Sequence, residues 1–163
     1  MEKNTGLPRG YRNNNPLNIR RSRGANYHWR GMRPLPESTD KEFVQFLTMA
    51  YGFRAAFCVL RTYIGVHKIK TIPEIIRRWA PDGDGNNSAR YTRHVLEISG
   101  LSRDYPMDWE YKEHMVRLVY AMATVENGKA PDAYKADIEE GWEMFIKDKA
   151  AWSRTKGEKE GEL

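Results

Sequence analysis

The chain has one cysteine, Cys58, in 163 residues. That excludes an internal disulfide and any cysteine-built metal site. Cys58 lies in the apolar run FRAAFCVLRTYI, with no neighbouring base to activate it, so it reads as a small buried hydrophobe rather than a reactive thiol. Long hydrophobic runs are also missing. None approaches the ~18 residues a membrane span needs, and the first residues lack the apolar stretch of a secretory signal. The expectation is a protein made in the cytoplasm without a signal peptide and with no membrane span. Histidines are few, and His28, His67, His94 and His114 lack ligand-like spacing, so neither a metal nor a cofactor is expected. The loop PDGDGNN starts like a calcium loop at Asp82, Asp84 and Asn86. However, Asn87 stands where the turn glycine belongs and Arg93 where the closing glutamate belongs, so a turn plus a helix N-cap fits better.

Aromatic residues are plentiful, with five Trp and nine Tyr, which excludes a disordered composition. The length suits one domain with one core. We expect a single domain over 1–152 followed by a flexible charged tail, SRTKGEKEGEL, over 153–163. The net charge is +5, and arginines crowd the N-terminal part at Arg9, Arg12, Arg20, Arg21, Arg23, Arg30 and Arg33. A basic surface of this kind suits a polyanion such as nucleic acid, anionic lipid or an acidic cell-wall polymer.

Residues 1–36 show no helical periodicity and read as ordered loop. EFVQF (Glu42 to Phe46) alternates apolar and polar, the pattern of a short strand, and is expected to pair near Tyr27 to Arg30. Helices follow. Phe53, Ala56, Phe57, Leu60, Tyr63 and Ile64 form one stripe. Thr71 and Glu74 make a capping box for IPEIIRRWA, which Pro81 ends. SARYTRHVLEIS closes at Gly100, a helix begins near Asp108, and a last one runs from about Pro131 to Trp152. The fold class is mainly α (α+β), with a small N-terminal β-hairpin.

Two stretches carry chemistry. The first is YRNNNPLNIRR, residues 11–21, where asparagines are too many for a simple turn. The second is HMVRLVYAMATVENG, whose stripe Met115, Leu118, Val119, Met122 continues to Glu126 at the helix end. A carboxyl group there loses water on one side and faces the negative end of the helix dipole. A carboxylic acid kept neutral can give its proton to a glycosidic oxygen.

The order RNNNPLNIR, then W-x-G (Trp29 to Gly31), EFVQF-x-x-x-x-YGFRA, TIPEIIRRWAP and Y-x-x-x-V (Tyr91 to Val95) resembles a domain of phages and prophages. Members of that family begin RNNNPGNIR and are often labelled virion structural proteins. The resemblance spans about residues 10–128, with Leu17 replacing a common glycine. The same order is similar, more distantly, to cell-wall N-acetylglucosaminidases of the flagellar-muramidase type, which have a lysozyme-like fold and an Asn-containing cleft wall. Their catalytic Glu precedes the Asn segment, whereas here only about a dozen residues do. LVYAMATVENGKAPDAY in turn resembles the catalytic helix of lytic transglycosylases. The missing helix would then come from the back of the chain, as in a circular permutation.

The resemblance implies a phage-associated domain of lysozyme-like fold that cleaves peptidoglycan glycan strands as a glucosaminidase, muramidase or lytic transglycosylase. Glu126 is the catalytic acid. Asn13, Asn14, Asn15 and Asn18 bind substrate, with Trp29 and Tyr91 (Trp79 reads better as core). Glu37 or Asp40 supplies a second carboxylate if the reaction is hydrolysis. The expected partners are peptidoglycan and other virion proteins, in a virion or at the bacterial cell wall. Nucleic acid fits less well, because the arginines are spread through loop. The competing reading is a non-catalytic virion structural or cell-wall-binding module that keeps the cleft.

Overall fold

The computed structural model describes residues 6–21, 28–83, 85–128 and 131–148. Expectations that fall on Tyr27, Asp84, Trp152 and the 153–163 tail lie outside the described residues.

The described fold is mainly helical. A one-turn helix α1 (Arg9–Arg12) leads into the Asn-rich loop. It interrupts a segment whose sequence shows no periodicity, because one turn is too short to display a repeat. The stripe around Phe53 forms α2 (Met49–Arg61), capped by Thr48 and extended by a π-helical turn over Thr62–Val66. The remaining helices are α3 (Ile72–Trp79), α4 (Ser88–Ser99), α5 (Lys112–Asn127) and α6 (Lys135–Lys147).

The local signals explain most boundaries. Thr71 and Glu74 form the capping box of α3. The Asn87 side chain caps α4 by accepting the Arg90 amide, and Asp82 Oδ1 accepts the amide and hydroxyl of Ser88, so Asp82 and Asn87 both serve the start of α4. The start of α5 differs from the expectation. Asp108 accepts the Glu110 amide within a turn, and the helix begins later, at Lys112, without a side-chain cap. Residues Pro131–Tyr134 form a 3₁₀ turn ahead of α6 rather than its first helical turn.

The expected β-hairpin reduces, among the described residues, to isolated antiparallel bridges. Phe43 pairs with Arg20 and Phe46 with Met32. The EFVQF segment spends its other backbone groups on loops: Phe46 N–H donates to Asn13 O and Val44 N–H to Ile19 O. The alternation in EFVQF therefore reflects burial of Val44 and Phe46 rather than a sheet face.

One core runs through the molecule, and α2 lies at its centre, nearly all buried. Phe57 on α2 packs its ring against Trp142 and Phe145 of α6. Cys58 is buried there as a small hydrophobe. No helix among the described residues is long and apolar enough to cross a membrane. Gly52 fits the Asn-rich loop to α2, because a Cβ at this position would collide with the backbone oxygen of Asn14.

Candidate functional site

The asparagine run resolves into separate tasks. Asn13 is buried; its Nδ2 donates to Asp40 Oδ2 at 2.9 Å, and its Oδ1 accepts from Gln45 Nε2 at 2.9 Å. Asn14 sits at φ +53°, where asparagine is better tolerated than most residues, and its amide donates to Phe46 O at 3.1 Å. Asn15 is fully buried. Its Oδ1 accepts the Ile19 amide and its Nδ2 donates to Ile19 O and Val44 O, which closes the loop over Leu17 and Ile19 in the core. These three side chains spend their amides on the protein itself.

Asn18 is different. It too is left-handed, at φ +54°, and its half-buried side chain turns away from the loop. Its Nδ2 donates to Glu126 Oε1 at 3.1 Å. On the other oxygen, Oε2 accepts from Trp79 Nε1 at 3.1 Å and from the Tyr91 hydroxyl at 2.9 Å. Residues from the loop, the end of α3, the first turn of α4 and the end of α5 thus converge on one carboxyl group. Asn18 Oδ1 is buried and has no hydrogen-bond partner among the described residues.

The sequence places Glu126 there for two reasons. The stripe Met115, Leu118, Val119 and Met122 is wholly buried and sets the rotation of α5. Asn127 then pins the helix end, its Nδ2 donating to Pro16 O at 2.7 Å in a buried contact. Gly10 makes room, since a Cβ there would strike the Asn127 amide. Adjacent residues therefore reach the same loop, Asn127 for the backbone and Glu126 for Asn18. Asn127 reads in the sequence only as part of a turn, and Trp79 as core. Nothing local in the sequence shows that either reaches the site, because both contacts are long-range.

Burial pushes the Tyr91 phenol well above its ordinary value, and the charge and hydrogen bond of Glu126 push it the same way. Tyr91 is accordingly a donor at any ordinary pH.

The other expected residues lie in other surroundings. Trp29 is 2% exposed, with its ring edge-on to Phe46 in the core, so it offers no surface platform in this structure. Asp40 is gripped by Arg9, by Asn13 and by the amides of Glu42 and Phe43. Burial alone would raise its carboxyl, but the bonds from Arg9, Phe43, Asn13 and Glu42 outweigh it and hold Asp40 well below the usual carboxylate range. Glu37 ends an exposed 3₁₀ turn, Leu35–Glu37. Neither acid contributes a hydrogen bond to the Glu126 cluster.

A mainly helical protein with an Asn-rich loop closed onto a carboxylate at a helix end is the class that fold and site define. Within it, the chain is similar to Protein P5 of Pseudoalteromonas phage PM2, at 35% identity over 135 residues, covering 83% of this chain and 80% of that protein. The chain belongs to the family of that phage protein. No protein-family model matches it.

Proposed function

We propose that the protein is a phage-associated module of lysozyme-like arrangement that binds the glycan strand of peptidoglycan and cleaves it, with Glu126 as general acid. One observation carries the reading. The loop resembling a glycan-cleft wall and the helix resembling a transglycosylase catalytic helix are joined by the Asn18–Glu126 hydrogen bond, next to the buried bond from Asn127 to Pro16 O. Membership of a family with a phage member supports a place in a virion or at the bacterial cell wall.

The roles follow from donor and acceptor chemistry. An ionised carboxyl accepts all three donors, Asn18, Trp79 and Tyr91. A protonated one needs an acceptor for its hydrogen. Rotating the Asn18 amide by half a turn would present Oδ1, which has no partner among the described residues, to a proton on Oε1. The same pair can thus hold Glu126 in both charge states, as a residue that gives and recovers a proton requires. Trp79 and Tyr91 keep Oε2 fixed, which leaves Oε1 to face the leaving oxygen. With Asp40 bound by Arg9 and Asn13, and neither Asp40 nor Glu37 bonded to the Glu126 cluster, the reaction that needs one acid fits best. In it a hydroxyl of the substrate attacks the anomeric carbon as the glycosidic bond breaks. Glu126 protonates the leaving oxygen and takes back the proton of the attacking hydroxyl.

A second reading, a cell-wall-binding or virion structural module without catalysis, is favoured by the absence of a second carboxylate contact to Glu126 among the described residues. A zymogram on purified sacculi separates the two. Clearing by the wild type and none by Glu126→Gln supports the enzyme. Retention on sacculi without clearing supports the binding module, and clearing that survives Glu126→Gln removes Glu126 from the chemistry.

A further inference from the structure

We propose that a cavity beside the Asn-rich loop is a subsite for the carboxylates of peptidoglycan stem peptides, an assignment that rests on the peptidoglycan reading above. The cavity measures about 320 Å³, opens to solvent, and is lined by Arg9, Arg12, Asn13, Asp40, Lys41 and Gln45 among others.

Its floor is a closed network. Gln45 Nε2 donates to Asn13 Oδ1 and Thr39 Oγ1, while Gln45 Oε1 accepts from the Ser38 hydroxyl and the Thr39 amide. Asp40 receives Arg9 on both oxygens, together with Asn13 and two backbone amides. Arg9 also lies over the Phe43 ring, its guanidinium carbon 4.3 Å from the centroid. The floor is therefore rigid, and the negative charge of Asp40 is consumed within it.

The rim has cations to spare. Arg12 and Lys41 are exposed, and among the described residues neither has an acidic partner within ion-pair distance. The lining holds three cations, Arg9, Arg12 and Lys41, and two carboxylates, Asp40 and Glu42, so the surplus is one positive charge. That balance suits one carboxylate in the fork of Arg12 with Lys41 beside it. A nucleic-acid backbone would bring a row of phosphates, and a surplus of one positive charge matches only one of them.

The place fits the substrate. Arg12 and Asn18 are six residues apart, so their α-carbons lie within roughly 20 Å of each other even if the chain were fully extended. A glycan strand held at Glu126 would have its peptide stems within reach of Arg12.

The test uses the full chain and two preparations of sacculus glycan fixed covalently to beads, one intact and one stripped of stem peptides by an amidase. Co-sedimentation of the wild type should fall about five- to tenfold on the stripped preparation. Arg12→Gln/Lys41→Gln should sediment with both at the lower level and keep the wild-type melting temperature, since both side chains are exposed. Two results overturn the subsite while leaving the peptidoglycan reading intact: equal retention of the wild type on both preparations, or full retention of the double variant on intact sacculi. Loss of DNA retardation in the double variant with unchanged sedimentation reassigns the cavity to phosphate. No retention of the wild type on either preparation overturns the peptidoglycan reading itself, and the subsite with it.

Discussion

The Tyr91 hydroxyl donates to Glu126 Oε2 at 2.9 Å and joins α4 to the end of α5. The bond is part-buried and its acceptor is a carboxylate, so it orients Glu126 more firmly than a solvated contact would. Tyr91→Phe keeps the ring in its packing and removes only the donor. The expected result is a loss of stability of about 1–2 kcal/mol and a fall in sacculus clearing of at least about tenfold. A turbidity assay alongside a urea titration reads both. Unchanged clearing would place the Tyr91 hydroxyl outside the reaction.

A second tyrosine sets an alkaline limit. Tyr11 is 2% exposed, and burial pushes its phenol up to about 12, with Tyr134 and Tyr120 adding to the effect. The folded pKa is raised above that of the unfolded chain, so the stabilising contribution is complete below about pH 10 and is lost as pH rises through about 12. At about 1.4 kcal/mol for each tenfold change in proton affinity, the whole effect is at most about 3 kcal/mol. Urea midpoints measured from pH 8 to 11.5 should fall along this limb, and Tyr11→Phe should flatten it.

Much of the helical part is legible in the sequence because it is local. The stripe of α2, the capping box at Thr71 and the Asn87 cap each show in a window of a few residues. The site is legible only in outline. The buried stripe of α5 points to Glu126, yet nothing near Asn13, Asn14 or Asn15 tells that they serve the loop while Asn18 serves the carboxylate. Apart from the bonds of Asn15 to Ile19, that division depends on partners 27 to 108 positions away, beyond the reach of any periodic pattern. Among the described residues the expected hairpin comes down to isolated bridges, for a related reason. Alternation in EFVQF reports which side chains are buried, and a buried loop segment alternates as a strand does.

Buried charge gives a stability test. Arg54 of α2 is buried, and its Nε and Nη2 both donate to Asp148 Oδ2, at 3.0 and 2.8 Å; Arg30 reaches the same carboxylate at 3.0 Å. Asp148→Ala leaves the guanidinium without that counter-charge and should cost about 3 kcal/mol, a drop of roughly 6–12 °C in Tm. Arg54→Met added to Asp148→Ala should recover part of the loss, because the buried guanidinium that lost this carboxylate is then gone as well. Calorimetry of the three proteins checks the order; a double variant less stable than Asp148→Ala would contradict it.

Asp40 sets the acid limb. Its carboxyl is held low in the folded chain, so its contribution is complete above the unfolded value of about 4 and is lost as pH falls below that toward the folded value. Asp40→Asn removes the ion pair with Arg9 and should lower stability at pH 7 by about 2 kcal/mol. It should also weaken the dependence of stability on pH below 4. Denaturant midpoints for wild type and variant between pH 2.5 and 7 should therefore converge at the acid end.

Asn18 carries two requirements that substitution can separate. Its backbone lies at φ +54°, and its amide reaches Glu126. Asn18→Gly keeps the left-handed backbone at little cost and removes only the amide. Asn18→Ala removes the amide and adds strain of about 1 kcal/mol. If the amide acts on Glu126, both variants should lose sacculus clearing to a similar extent, while only the alanine variant shows the added loss of stability. Clearing that falls with alanine but survives with glycine would assign Asn18 to the turn alone. Glu126 would then keep only Trp79 and Tyr91 as its positioning contacts.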